Sequence, residues 1–145
     1  MKKMTILIAD PDTTNRLVFK HFFTLPGHFS SLFKEKITFK FVEVSEAREL
    51  KKLLEGPDSY FDIVLVNTDL PRNQVMTLRL IGQLIKAQNE QAVIVALNST
   101  VHNESLGREI FLIDNPEFTD ITLVPVVFSE LLTIFDKNLK LEPVA

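Results

Sequence analysis

Phe61-Asp62-Ile63-Val64-Leu65-Val66-Asn67-Thr68-Asp69-Leu70-Pro71 is the stretch that decides the fold. Its centre, Ile63 to Asn67, is apolar up to its last residue and rich in β-branched side chains, which suit a pleated backbone. A strand with one face in water alternates apolar and polar residues. A run without alternation belongs to a strand covered on both faces, as in a parallel sheet lined by helices. The polar Asn67-Thr68-Asp69 and then Pro71 end the run.

Thr5 to Ala9 (TILIA) and Ala92 to Leu97 (AVIVAL) repeat the pattern, so three central strands are expected. Ile37 to Val44 instead sets Ile37, Phe39 and Phe41 against Thr38 and Lys40, the alternation of a strand with a wetter face or at a sheet edge. Asp120 to Val124 is short and closes on Pro125, which cannot continue a ladder in a central position.

Helical spacing fills the intervals. Asp12 or Thr13 caps a helix carrying Leu17, Val18, Phe22 and Leu25; Ser45 caps one carrying Ala47, Leu50, Leu53 and Leu54. Asn73 to Lys86 has Leu78, Ile81 and Ile85 on one face. Asn103 to Leu112 is weakened by Gly107, and a last helix uses Leu131, Leu132, Phe135 and Leu139. Strands alternating with helices predict an α/β fold in one domain over residues 1–141, with 142–145 as a tail. The first crossover is long, and its Phe29, Leu32 and Phe33 predict an extra turn over residues 25–36 packed on the core, with an exposed partner-binding ridge as the alternative.

Composition narrows the function. The chain has 145 residues, 46% of them hydrophobic, and a net charge of −3 with both signs interspersed, so nothing calls for nucleic acid. It has no cysteine, which excludes disulfides and thiolate metal sites and is compatible with the cytoplasm. The apolar run after Met1-Lys2-Lys3 stops at Asp10, too soon for a signal peptide or membrane span. With four glycines and no Gly-rich turn after the first strand, a phosphate-binding loop or dinucleotide fingerprint is not expected.

In an open parallel sheet, ligands bind beyond the carboxyl ends of the strands, where the winding reverses. That rim collects Asp10-Pro11-Asp12, Asn67-Thr68-Asp69, Asn98-Ser99-Thr100 and Val124-Pro125. Asp10 with Asp12 or Asp69 has the oxygen ligands a Mg²⁺ ion takes. Asp10 and Asp12 equally suit the cap of the first helix.

ILIADPD, FDIVLVNTDLP and ITLVP, in this order and at these separations, resemble the response-regulator receiver domain of two-component signalling over almost the whole chain. The resemblance implies a flavodoxin-like, doubly wound five-stranded parallel sheet of order 2-1-3-4-5 with helices on both faces. It also implies an acidic pair after strand one, a phosphoacceptor Asp four residues before a Pro, a hydroxyl residue after strand four and a Lys before a Pro in strand five. Here Asp10 and Pro11 take the acidic pair, with Asp12 one place late. Asn67, four residues before Pro71, takes the phosphoacceptor position. Asn98 falls on the hydroxyl position with Ser99 one place late, Val124 replaces the Lys, and Ile121 takes the place of the switch aromatic.

Phosphoryl transfer to a protein carboxylate needs an anionic oxygen as nucleophile and a cation to neutralise the developing charge, and an amide at position 67 supplies no such nucleophile. The expectation is a degenerate receiver: no enzyme, no certain cofactor, and a cytoplasmic protein-interaction module in a phosphorelay. Its partner surface, including a homodimer contact, is expected on the face of helix four, strand five and helix five around Ile121, Phe128 and Leu131, with neither nucleic acid nor membrane as partner. The alternatives are an atypical receiver phosphorylated on Asp69 with Mg²⁺, and a small metal-dependent hydrolase.

Overall fold

A computed structural model describes residues 2–70, 76–98 and 104–139, with side chains in the fourth helix described from residue 107 onward. Five strands, β1 (Lys2–Ala9), β2 (Ile37–Val44), β3 (Ile63–Asn67), β4 (Val93–Asn98) and β5 (Asp120–Leu123), alternate with five helices. The helices are α1 (Thr13–Thr24), α2 (Ala47–Glu55), α3 (Leu78–Gln88), α4 (Glu104–Asp114) and α5 (Phe128–Asn138). All strand pairs are parallel, in the order β2-β1-β3-β4-β5.

The uninterrupted apolar runs have the expected cause. Along β1, Ile6 and Ile8 join the core beneath α1 and α5, while Leu7 and Ala9 join the core beneath α2, α3 and α4. Successive residues of a strand point to opposite faces, so a strand covered twice must be apolar throughout. β3 is buried at all five positions. β2 lies at the edge and alternates, with Phe39 and Phe41 partly buried against the α1 side and Thr38 and Lys40 exposed.

The core on the α1 and α5 side is unusually aromatic. Phe22 and Phe23 meet edge to face with centroids 5.1 Å apart, Phe29 stands edge-on to Phe23 at 5.0 Å, and Phe135 contacts all three. Such pairs contribute about 0.5–1.5 kcal/mol each beyond the burial of their area. The long first crossover feeds this cluster: Phe29 to Leu32 is a short 3₁₀ turn, with Phe29 and Phe33 buried. It is the packed turn anticipated for residues 25–36.

Some element ends differ from expectation. α2 begins after Glu46, not Ser45, whose backbone N–H and hydroxyl instead donate to Glu49 Oε1 at 3.3 and 3.1 Å. α3 begins at Leu78, where Thr77 Oγ1 accepts from the Leu80 N–H at 3.1 Å, and the expected start at Asn73 lies outside the described residues. β1 extends back to Lys2 because it pairs with β2 from Ile37 onward. The 142–145 tail also lies outside the described residues. No helix among the described residues is long and apolar enough to cross a membrane.

Candidate functional site: the carboxyl-end rim

The rim is built by strand register. Ala9 pairs with Val66, so one step further along the two strands Asp10 and Asn67 come side by side. Both are buried, Asp10 completely and Asn67 to 6% exposure. The Asp10 backbone is pinned on both sides: its N–H donates to the Val44 carbonyl at 3.0 Å, and its carbonyl accepts from Arg16 Nη1 at 2.6 Å. Arg16 also reaches Glu43 Oε1 at 3.2 Å, and Lys20 holds the other oxygen of Glu43 at 3.0 Å, which ties α1 to the end of β2.

A buried carboxylate needs compensating donors, and Asp10 has three. Its Oδ1 accepts from the Asp12 N–H at 2.8 Å; its Oδ2 accepts from Asn15 Nδ2 at 3.3 Å and from Asn67 Nδ2 at 3.2 Å. The other end of the Asn67 amide is fixed as well, because its Oδ1 accepts from the Asp69 N–H at 2.8 Å. Turning the amide over would set oxygen against carboxylate and NH₂ against N–H, so the network admits only one orientation.

Asp12 takes the capping role of its two expected ones. It is the N-cap of α1, its Oδ1 accepting from the N–H groups of Thr14 and Asn15 at 2.7 and 3.1 Å. Pro11 is exposed beside it. Asp69 lies in the turn after β3 with its N–H directed at Asn67. Asn98 ends β4 half-buried, and its carbonyl accepts from the Val124 N–H at 3.0 Å; Ser99 lies outside the described residues.

The remaining expected positions divide between the two cores. Val124, preceding a cis bond to Pro125, packs partly buried against the α1 and α5 core, and Ile121 packs partly buried on the opposite side. Two positions expected on a partner surface pack against the α1 and α5 core, one fully and one partly buried. Leu131 is completely buried, and Phe128 packs its ring 5.1 Å from that of Phe22 and 5.0 Å from that of His28. Both face the sheet because α5 turns its apolar stripe toward the aromatic cluster.

Mg²⁺ does not fit this donor set. The carboxylate that would bind it is surrounded by three N–H donors, and the neighbour at position 67 presents an NH₂ group where a cation would need a second oxygen. Among the described residues, no three His, Asp or Glu side chains are disposed to hold a metal ion. Lys86, whose pKa is lowered from its ordinary 10.5 by burial against the opposing pull of Glu117 and Glu90, lies near the other end of the sheet. There its Nζ donates to the carbonyls of Glu90 and Ala92 at 3.0 and 2.6 Å, a staple between α3 and β4.

No family model and no curated protein matches the sequence. Solved structures do. A response regulator receiver domain protein (CheY-like) from Methanospirillum hungatei superposes with a TM-score of 0.62 at 17% identity, covering 94% of this chain and 93% of that one. The chain has the receiver-domain fold. A response regulator receiver domain protein from Clostridium thermocellum agrees, with a TM-score of 0.61 at 15% identity and 93% of both chains covered. A structure described as adenylate cyclase from Rhodopirellula baltica is similar too, with a TM-score of 0.62 at 14% identity, covering 95% of this chain and 88% of that one. Within the receiver fold, Asn67 stands at the end of the central strand, bonded to the acidic residue at the end of its neighbour.

Two parts of the site were missed in the sequence. Asn15 supplies a donor to Asp10 from the first turn of α1, a role that five-residue spacing alone does not announce. Arg16 holds the Asp10 carbonyl, and its signal was faint: a basic residue near a helix N-terminus, where the macrodipole favours acids, needs a specific partner.

Proposed function

We propose that the chain works in two-component signalling as a receiver-type domain that takes no phosphoryl group at Asn67 and acts through protein contacts, in the cytoplasm. The observation that carries this reading is the buried hydrogen bond from Asn67 Nδ2 to Asp10 Oδ2 at 3.2 Å. Two carboxylates at this separation repel and call for a cation between them. An amide in one place turns the repulsion into a direct bond, removes the nucleophile and leaves the cation without its second ligand. The pocket is closed by the residues that line it.

The output surface proposed is the face of α4, β5 and α5. Leu131, completely buried, drops out of it, and Phe128 is partly buried against the core. Ile110 at 51% exposure, Ile113 at 75% and Val127 at 52% supply the apolar area, with Ile121 partly buried beneath. A partner protein or a second copy of the chain would cover them. Arg108 Nη2 bonds to the buried Asp120 carboxylate at 2.6 Å, and Thr122 Oγ1 to Glu130 Oε2 at 3.0 Å, so side-chain bonds hold α4 and α5 to β5 independently of the rim.

The test is incubation with acetyl phosphate and Mg²⁺ followed by intact-mass analysis. No phosphoryl adduct is expected. An adduct lost in the Asp69→Asn variant would establish the alternative, an atypical receiver phosphorylated on Asp69.

A further inference from the structure

Lys86 stands in the last turn of α3, where a lysine ordinarily carries its charge out into water. Here the side chain is half-buried and turns over the connection to β4, its Nζ donating to the carbonyls of Glu90 at 3.0 Å and Ala92 at 2.6 Å. Both acceptors are uncharged. Lys20 and Lys51 differ in this respect, because each bonds to a carboxylate, Glu43 at 3.0 Å and Glu55 at 3.2 Å, which favours the ammonium form.

Glu117 faces this turn of α3. Gly82, one helical turn before Lys86 on the same side of the helix, lets the loop before β5 approach closely: a Cβ at position 82 would lie 2.8 Å from Glu117 Cβ. The Glu117 carboxylate acts on the Lys86 charge, yet its buried Oε1 accepts no hydrogen bond among the described residues. An ammonium has three hydrogens to place, whereas a neutral amine has two and a lone pair. Two carbonyls are therefore the full complement for a neutral Lys86, and its lone pair is left at the remaining tetrahedral position. Burial works in the same direction, lowering the pKa of Lys86 against the pull of Glu117 and Glu90.

We infer that Lys86, held by two carbonyls beside an unbonded carboxylate oxygen, is a modification site that takes the acyl group of a small acyl phosphate on Nζ. The amine lone pair attacks the acyl carbonyl carbon; the C–N bond forms as the C–O bond to phosphorus's oxygen breaks, and phosphate leaves with that electron pair. The surplus proton of the amine passes to the Glu117 carboxylate and from there to water. The product amide keeps one N–H, so one of the Glu90 and Ala92 carbonyls loses its donor and the turn from α3 into β4 loosens. This site lies away from the rim and does not depend on the state of Asn67.

The test treats the full chain with acetyl phosphate at mildly alkaline pH and follows acetylation of each lysine over time by peptide mass mapping, with the chain folded and with it unfolded in urea. In the folded chain Lys86 is expected to react about fivefold or more faster than Lys20 and Lys51, because a larger share of it is neutral amine. Unfolding should abolish that lead. After acetylation, amide hydrogen exchange should accelerate in the turn before β4 and stay unchanged at Asp10 and Asn67. Acetyl and phosphoryl adducts differ in mass, so the outcome is read independently of whether the rim takes phosphate. A Lys86 rate no higher than those of Lys20 and Lys51, a lead that persists in urea, or unchanged exchange in the turn would each overturn the inference.

Discussion

The rim and the outer face of α4 are opposites. At the rim, Asp10 and Asn67 are buried and their described polar contacts lie within the chain: the carboxylate has three donors, and the amide is bonded at both ends. On α4, Ile110 and Ile113 stand largely in solvent on a helix whose other side packs Phe111 and Leu112 against the core. Reactive-looking residues are turned inward and neutralised, while apolar residues are turned outward. A rim rich in Asp and Asn is no evidence of chemistry until the partners of each oxygen are known.

Asn67→Asp places a second carboxylate against Asp10 and should cost about 2–4 kcal/mol in urea denaturation at neutral pH without divalent cation. One carboxyl of the pair then has a folded-state pKa raised above its unfolded value. The folded state binds more protons than the unfolded, so the deficit relative to wild type is small below about pH 4 and grows as pH rises. Added Mg²⁺ should recover part of it in the variant and change nothing in the wild type. An Asn67→Asp protein as stable as wild type at pH 7 would show that the Asn67 to Asp10 bond does not close the pocket.

A smaller loss is expected on the α4 side. Arg108→Ala leaves the Asp120 carboxylate, 8% exposed, without its 2.6 Å partner, at a cost of about 1–2 kcal/mol. Hydrogen exchange should then accelerate in α4 and leave β1 and β3 unchanged. Acceleration at the rim instead would mean that the two regions are coupled.

Asp12→Ala removes the α1 cap and should cost about 1 kcal/mol by thermal or urea unfolding. It also frees α1 to shift Asn15 away from Asp10, so the Asn15 side-chain amide signal should move with it. A loss well above 2 kcal/mol would give Asp12 a further role at the rim.

The smallest effect on stability is expected from Ile110→Glu/Ile113→Glu, within about 0.5 kcal/mol, since neither side chain contributes much to the core. Self-association or capture of a signalling partner should nevertheless be lost. Unchanged binding would remove α4 from the output surface.

The fold was legible in the sequence for a physical reason. Strands such as Ile63–Asn67, buried on both faces, have to be apolar at consecutive positions, and the edge strand Ile37–Val44 has to alternate. Helix starts were harder to place. Ser45 is a good cap by residue type, but its competing acceptor Glu49, like the Thr77 cap of α3, becomes visible only in three dimensions.

At the site, motif spacing picked out Asp10 and Asn67, and register brought them together. The contributions of Asn15 and Arg16 stayed hidden because a helix returns side chains to the end of the preceding strand without a motif of its own. On the expected output face, Leu131 is completely buried and Phe128 partly so, which the resemblance does not reveal. The demand of the Phe22, Phe23 and Phe29 cluster for further apolar cover turns them inward.

The hydrogen bond that the Asn67 side-chain amide donates to Asp10 is proposed to replace the cation and the nucleophile. Its most direct measurement follows the Asn67 side-chain NH₂ resonances by NMR while Mg²⁺ and beryllofluoride are titrated to millimolar concentrations. These resonances, and the backbone amides of Asp10, Asp12 and Asp69, are expected to stay where they are. A saturable shift of the Asn67 NH₂ signals would instead show that a bound cation displaces the bond to Asp10 and that the pocket is open.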